Sequence, residues 1–322
     1  MNPALRLAIF WIACSAAGLL YAKFRDIPRD LVWRALPAFL LEATFFLSLG
    51  SERVRKWLER LPRSFTALAL IAAGLAPYCA AAFAFGTFDG RALAWIATLT
   101  AVAALWYVVL PHKPLADLAF LVFLAAVVLS RVLRAQYITP HPRLPLDFLG
   151  QAMWIRTGAF AMLSVRRVQG VGFGFWPEPR HWRIGILHFL AFLPVAAPAA
   201  WAVGFATPHL PAAGWERATV LALGTFFGFL WVIALGEEFL FRGLLQQWLG
   251  TWMGNEWLGL IAASLLFGSV HLWYRAFPNW QFAVLAALGG VFYGLAFRRA
   301  GSIRASVVTH ALTVTTWRIF FS

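Results

Sequence analysis

Charge is what this sequence has least of. Only 12% of its 322 residues are Asp, Glu, Lys or Arg, about half the share of a soluble globular chain. That scarcity excludes a soluble enzyme, and it excludes a disordered chain, which stays unfolded through high charge and few apolar groups. Two cysteines, Cys14 and Cys79, are too few for a disulfide scaffold. Both lie in apolar runs without CxxC spacing and read as small buried hydrophobes, so they do not fix a redox compartment. There is no collagen-like repeat, and no internal repeat relates the two halves. No cleavable signal peptide is expected either: residues 4–22 follow a weak basic lead and read as a first span.

What the chain does have is apolar surface. Hydrophobic residues make up 61% of it, with 17 Trp, and the mean hydropathy is +0.73. Roughly ten spans of about 20 residues absorb such an excess. The apolar runs fall at about 4–22, 35–50, 65–86, 92–111, 115–133, 184–207, 218–236, 257–273, 281–297 and 303–321. Backbone in hydrocarbon must satisfy its own hydrogen bonds, so these runs are helices. The expectation is an all-α polytopic bundle of about ten transmembrane spans in the cell (plasma or inner) membrane. Gly289, Gly290 and Gly294 in the run 281–297 permit close helix approach.

Acidic residues are scarcer than basic ones, 13 against 27, for a net charge of +14. In a soluble chain that excess would point to nucleic acid. Here the cations sit between the apolar runs, where they set topology and meet anionic lipid, and no nucleic-acid partner is expected. The clusters are Lys23, Arg25, Arg29 and Arg34; Arg53, Arg55, Lys56, Arg60 and Arg63; and Arg298, Arg299 and Arg304. A Pro- and Arg-containing stretch separates two groups of spans. It predicts an N-terminal transmembrane region over 1–135, a loop or interfacial linker over 136–182, with the stretch 150–165 and Arg156 at the interface, and a second domain over 183–322.

Polar groups inside apolar runs carry the functional information, because each is costly unless paired or facing water. Glu42 sits alone in 35–50 and reads as a pair-forming residue whose natural partner is an Arg of the C-terminal half. Glu237 and Glu238 end the run 218–236. Arg242 lies four residues after Glu238, the spacing that places a carboxylate and a guanidinium on one helix face. Glu237 points about 100° away and is left without an obvious partner, free to act as a base. His271 ends another run and His310 lies inside the last. Each taken alone reads as an interface histidine, and the acidic pair alone as a charge cluster at the membrane surface. Together they make a constellation suited to activating water and holding an oxyanion.

The run Glu237-Glu238-Phe-Leu-Phe-Arg242-Gly243 resembles the EExxxR motif of the CPBP family, which includes the type II CAAX prenyl endopeptidases and the bacterial Abi proteins. Phe267 to His271 is similar to its FxxxH motif, and His310 stands where its HxxxN motif begins. Val171-Gly-Phe-Gly-Phe-Trp-Pro, followed by Trp182, is similar to a segment that often precedes the domain. The resemblance covers about 170–322, and residues 1–150 match nothing comparable. It implies intramembrane peptide-bond hydrolysis by a glutamate mechanism, with no cofactor. Carried over by position, Glu237 is the base that activates water, assisted by His271. Glu238 and Arg242 hold Glu237 and its helix in place, and His310 stabilises the oxyanion. The residue four after His310 is Val314, not Asn. Thr313 and Trp317, three and seven residues on from His310, share its face and are the candidate replacement donors.

Other chemistries compete. Zinc held by Glu237, His271 and His310 would leave an open fourth position, but HExxH is absent and the other histidines lack ligand spacing. Ser264 and Ser269 near His271 lack a nucleophile elbow. A transporter would use Glu42 or Asp117 as proton carriers, yet no broken helices recur in matched halves. A protease-like scaffold inactivated by Val314 is the remaining alternative. The expected substrate is a membrane-bound protein or peptide: a prenylated CAAX protein, a bacteriocin-like peptide or a C-terminal sorting helix.

Overall fold

A computed structural model describes residues 3–24, 26–205, 209, 214–274 and 276–321; Arg25 of the first basic cluster lies outside them. Every regular element among the described residues is helical. In chain order they are α1 (Pro3–Phe24), α2 (Arg29–Ser48), α3 (Glu52–Arg60), α4 (Arg63–Phe85), α5 (Gly90–Val109), α6 (Pro114–Leu129), the single turn α7 (Val132–Ala135) and α8 (Asp147–Phe160). Then follow α9 (Pro179–Ala202), α10 (Trp215–Gly228), α11 (Ala234–Glu238), α12 (Gln247–Trp252), α13 (Glu256–Val270), α14 (Trp280–Ala300) and α15 (Ile303–Phe320).

The helix ends obey local chemistry. Side-chain oxygens of Ser51, Asp89, Asn255, Asn279 and Ser302 accept from backbone N–H groups of the first turns that follow them. Gly86 and Gly301 close α4 and α14 with φ of 65°, a left-handed turn that costs glycine little.

Seven helices among the described residues are long and apolar enough to cross a membrane. They are α2, α4, α5, α9, the continuous helix Leu221–Trp252, Glu256–Trp273 and α14, with two shorter apolar helices at Leu7–Lys23 and Pro114–Leu129. The run expected to stop at 236 therefore continues through the acidic pair to Trp252. The last run, α15, is not among the seven. Its Ser, Thr and His side chains lower its hydropathy, and residues 305–311 are buried by neighbouring helices instead. Elsewhere the apolar helices show apolar side chains outward, as at Leu115 and Leu129 of α6 and Trp201 of α9, the surface a hydrocarbon environment requires.

The chain forms two compact units, Met1–Arg167 and Val168–Ser322. In the first, the stretch 150–165, read from sequence as interfacial, lies in α8 and the π-helical turn that follows it (Ala161–Val165), and all of it except Gln151 and Ile155 is buried. The partner of Glu42 corrects the sequence expectation: it is Arg156 of this same unit. Arg156 Nε and Nη2 each reach one Glu42 carboxylate oxygen at 2.9 Å, and Nη2 also donates to Ala73 O at 3.0 Å. A buried guanidinium needs a planar, two-point partner, and α8 carries it where α2 and α4 can supply one. Arg166 makes the same two-point bridge to Asp117, at 3.0 Å on both arms.

In the second unit α15 packs on α9, α10, α11 and α14, and α13 on α14 and α12. Glycine lets α13 and α14 cross closely. A Cβ on Gly268 would stand 2.5 Å from Ala283 O and 2.7 Å from the Ala287 methyl, so α13 and α14 meet backbone to backbone.

Candidate active site

The acidic pair sits in a helix that does not keep α-helical pitch. Phe229–Ile233 and Phe239–Gln246 are π-helical, and α11 with Glu237 and Glu238 lies between them. Such i→i+5 turns are rare and frequent at functional sites. Here they aim two neighbouring glutamates differently. The Glu238 side chain has no solvent exposure, while that of Glu237 is 34% accessible.

Glu238 Oε1 accepts from two directions. Arg242 Nη1 donates at 3.0 Å from one turn along the same helix, and His310 Nδ1 lies at 2.9 Å from α15. A carboxylate accepting at Nδ1 places a proton there, which turns Nε2 toward the second glutamate: His310 Nε2 stands 3.7 Å from Glu237 Oε2. That is too long for a direct hydrogen bond and short enough for a water to touch both groups. His310 is thus wedged between the paired carboxylates.

Aromatic faces complete the enclosure. The Arg242 guanidinium carbon lies 4.5 Å from the Phe267 ring centroid and 5.3 Å from that of Tyr293, so ring quadrupoles share the stabilisation of the buried cation. Its Nε and Nη2, and Glu238 Oε2, have no hydrogen-bond partner among the described residues. Gly290 makes room for this group, since a Cβ there would stand 3.0 Å from Arg242 Nη2.

His271 lies at the end of α13 with Nδ1 2.7 Å from Phe267 O. The carbonyl requires a donor, which leaves Nε2 as the acceptor nitrogen. Its ring meets Phe267 edge-on at 4.7 Å, and the same Phe267 meets the His310 ring edge-on at 5.7 Å. One phenyl ring therefore separates the two imidazoles, and no hydrogen bond or ion pair joins His271 to Glu237 among the described residues. The structure brings Glu237, Glu238, Arg242 and His310 together directly and His271 to them through Phe267.

Of the replacement donors near Val314, Thr313 donates its hydroxyl to Thr309 O at 2.9 Å within its own helix. Trp317 stacks on Phe321 at 4.7 Å and packs on Phe205 at 5.4 Å. Sequence reasoning passed over Tyr293. Its ring is stacked on His310 at 4.6 Å with an interplanar angle of 14°, and its hydroxyl reaches the Thr313 side chain. The available signal was a lone phenol in a Gly-rich apolar helix, which must find a polar partner when buried. Among the described residues no group of three or more His, Cys, Asp or Glu side chains is arranged to hold a metal ion.

The segment Val171 to Trp176 is tied across the unit. Val171 O accepts from Ile303 N at 2.9 Å, and Gly172 O accepts from Ser302 Oγ at 2.7 Å and Arg304 Nε at 3.1 Å. Gly172 has φ of 60°, and a Cβ there would stand 2.6 Å from Ser302 Cα, so only glycine fits. Phe173 packs edge-on against Phe239 at 5.5 Å, and Trp231 Nε1 donates to Phe175 O at 3.0 Å. The strap thereby braces both π-helical turns that flank the glutamates.

These features define a multi-pass, all-helical membrane protein with a charged site built from separate helices. Residues 220–316 match the family described as type II CAAX prenyl endopeptidase Rce1-like, in agreement with the motif resemblance. The matched segment contains Glu237, Glu238, Arg242, His271, His310 and Thr313, under a third of the chain. No curated protein and no solved structure matches.

Proposed function

We propose that the C-terminal unit is an intramembrane endopeptidase of the CAAX type, in which Glu237 removes a proton from water as it attacks a peptide carbonyl and returns that proton to the amine nitrogen as the C–N bond breaks. The substrate is a membrane-associated protein or peptide, and the chain acts in the cell membrane without a cofactor. The observation that carries this reading is the asymmetry of the glutamate pair around His310: Glu238 is sealed and its Oε1 takes two donors, whereas Glu237 is partly open and takes no hydrogen bond among the described residues.

The chemistry follows from that arrangement. A general base must touch both solvent and the reacting water, and Glu237 alone of the pair is accessible. His310 is anchored at Nδ1 by Glu238 and turns Nε2 toward Glu237, so a proton on Nε2 is placed to be donated toward the oxyanion that forms on the carbonyl. His271, with Nδ1 committed to Phe267 O, offers Nε2 as an acceptor that orients the water. Arg242 and Glu238 act as positioning residues, and Tyr293 fixes the plane of the His310 ring. Because Val314 donates nothing, His310 is the principal oxyanion donor, with the Trp317 indole N–H as the second. Removing either donor is expected to cost about 10²–10³ in rate.

Membranes from cells carrying wild type and Glu237→Gln test the proposal. A protein whose C-terminus or mass changes only with wild type supports it and names the substrate. Identical membrane proteomes, with both variants folded and equally abundant, overturn it and favour the protease-like scaffold.

A further inference from the structure

Helix α3 is unlike any other element of the chain. It joins two helices long enough to span a membrane, α2 and α4, so it lies at a membrane surface. It is strongly two-sided. The inner side carries buried Leu58 and half-buried Val54, and is fastened by its polar atoms. The Arg55 guanidinium donates to Leu49 O, Thr66 Oγ1 donates to Leu58 O at 2.9 Å, and Arg167 Nη2 donates to Glu59 O. The outer side presents Arg53, Lys56, Trp57 and Arg60, the i, i+3, i+4, i+7 pattern of a single helix face. Together with Glu52 these four residues line one shallow concavity.

Two facts about that face call for a ligand. Arg53 and Arg60 are exposed, and no ion pair or hydrogen bond engages either among the described residues; Lys56 alone is paired, to Glu52 at 2.6 Å. Trp57 lies among these cations with 55% of its surface exposed, and Phe65, just beyond the helix, with 63%. A cationic face alone would suit water. Cations interleaved with a large exposed indole suit the boundary where phosphate groups overlie acyl chains, since Trp settles at headgroup level and Lys and Arg extend toward phosphate.

We infer that the outer face of α3 is a docking surface for anionic phospholipid headgroups. Arg53 and Arg60 grip the headgroup phosphate, Lys56 adds charge, and Trp57 with Phe65 packs on the glycerol and upper acyl region. The charges favour this occupant because the segment Ser51–Arg63 holds five cations against two carboxylates. The flanking spans hold the face beside the lipid phosphate layer, the densest anion array there. This goes beyond the general attraction of basic loops to membranes, because it assigns retained lipid to one helix face, and it does not depend on the protease reading.

The test uses the full-length protein in a neutral detergent, titrated with phosphatidylglycerol or phosphatidylcholine, with retained lipids counted by native mass spectrometry. Wild type is expected to retain phosphatidylglycerol and not phosphatidylcholine. Replacing Arg53, Lys56 and Arg60 together by Gln is expected to weaken retention by on the order of a hundredfold, from the contribution of each cation near an anionic surface. All three side chains are exposed, so a thermal melt should match wild type; the single Arg53→Gln variant, expected to weaken retention about fivefold, a third of that span in logarithmic terms, guards against a misfolded triple variant. Trp57→Ala should weaken phosphatidylglycerol retention with the charge unchanged. A control replacing exposed Lys23, Arg29 and Arg34 by Gln removes the same charge elsewhere and should leave retention intact. Equal retention of both lipids by wild type, equal loss in the control, or capture of polyglutamate in preference to phosphatidylglycerol each overturns the assignment, the last in favour of an acidic protein segment.

Discussion

The two units bury their charges in opposite ways. In the N-terminal unit Glu42 with Arg156, and Asp117 with Arg166, form closed pairs in which both carboxylate oxygens take a guanidinium donor. In the C-terminal unit one oxygen, Glu238 Oε1, takes two donors, while among the described residues the other takes none and two Arg242 nitrogens go without a hydrogen bond, and Glu237 stays partly open. A closed pair has no capacity left for a reactant and serves the fold. A cluster with unspent donors and acceptors keeps capacity for chemistry, at a cost in stability that aromatic faces and close helix packing offset. The contrast also weakens the transporter alternative, since its proton carriers Glu42 and Asp117 are the saturated groups.

The largest effect that could break this comparison is catalytic. Glu237→Gln should lower cleavage by on the order of 10²–10⁴-fold with an unchanged unfolding midpoint, whereas Glu42→Gln should damage folding first. Cleavage of an identified substrate measured beside chemical unfolding separates the two, and full turnover by Glu237→Gln would falsify the role given to that residue. Next in size are the buried cations. Arg156→Met should destabilise by about 3–5 kcal/mol, because it leaves the Glu42 carboxylate buried and alone, and Arg242→Met by less, because Glu238 keeps His310 as a partner. The double replacements sharpen the point. Glu42→Leu with Arg156→Met should recover most of the lost stability. Glu238→Leu with Arg242→Met should recover stability and remain inactive, because His310 loses its anchor. Recovery of activity there would mean that the pair is only structural.

A smaller effect concerns Tyr293. Tyr293→Phe keeps the ring on His310 and removes the hydroxyl beside Thr313, so stability should fall by about 1 kcal/mol. Turnover should fall further in Tyr293→Leu, where the stack is gone. Equal rates in the two variants would remove Tyr293 from the site. The smallest effect belongs to His112, in the connection after α5. Burial first, then the cations Arg166 and Arg63, hold its imidazole below the ordinary histidine range. The unfolded chain then binds a proton more readily than the folded one, so stability is present above the unfolded value and declines as pH falls below it. His112→Asn should flatten that part of the melting curve between pH 7 and 5.

Much of the site was legible because its central pair is local. Glu238 and Arg242 are one helical turn apart, a relation that any helix imposes. The family motifs then supplied His271 and His310. The role of His310 as a wedge between both glutamates was not legible, since it depends on how α15 crosses α11, 72 residues away in sequence. Arg156 was missed as the partner of Glu42 for the same reason, at a separation of 114 residues. Its moderately polar surroundings also gave 150–165 the look of a surface segment. Once Glu42 neutralises the guanidinium, those residues are free to be core. The apolar runs predicted helices where helices stand, yet could not show that α15 is enclosed by other helices, because hydropathy does not report what a residue packs against.

The π-helical stretch Phe239–Gln246 makes chain length itself part of the site. Deleting one residue from it would shorten the helix by only about 1.5 Å, a change a loop could absorb. It would also rotate every following side chain by about 100° relative to Glu237 and Glu238. Gln246, which donates to Gly294 O of α14 at 3.3 Å, would then face elsewhere. An insertion or deletion here is therefore a more severe event than most substitutions, even one that leaves all the charged residues in place.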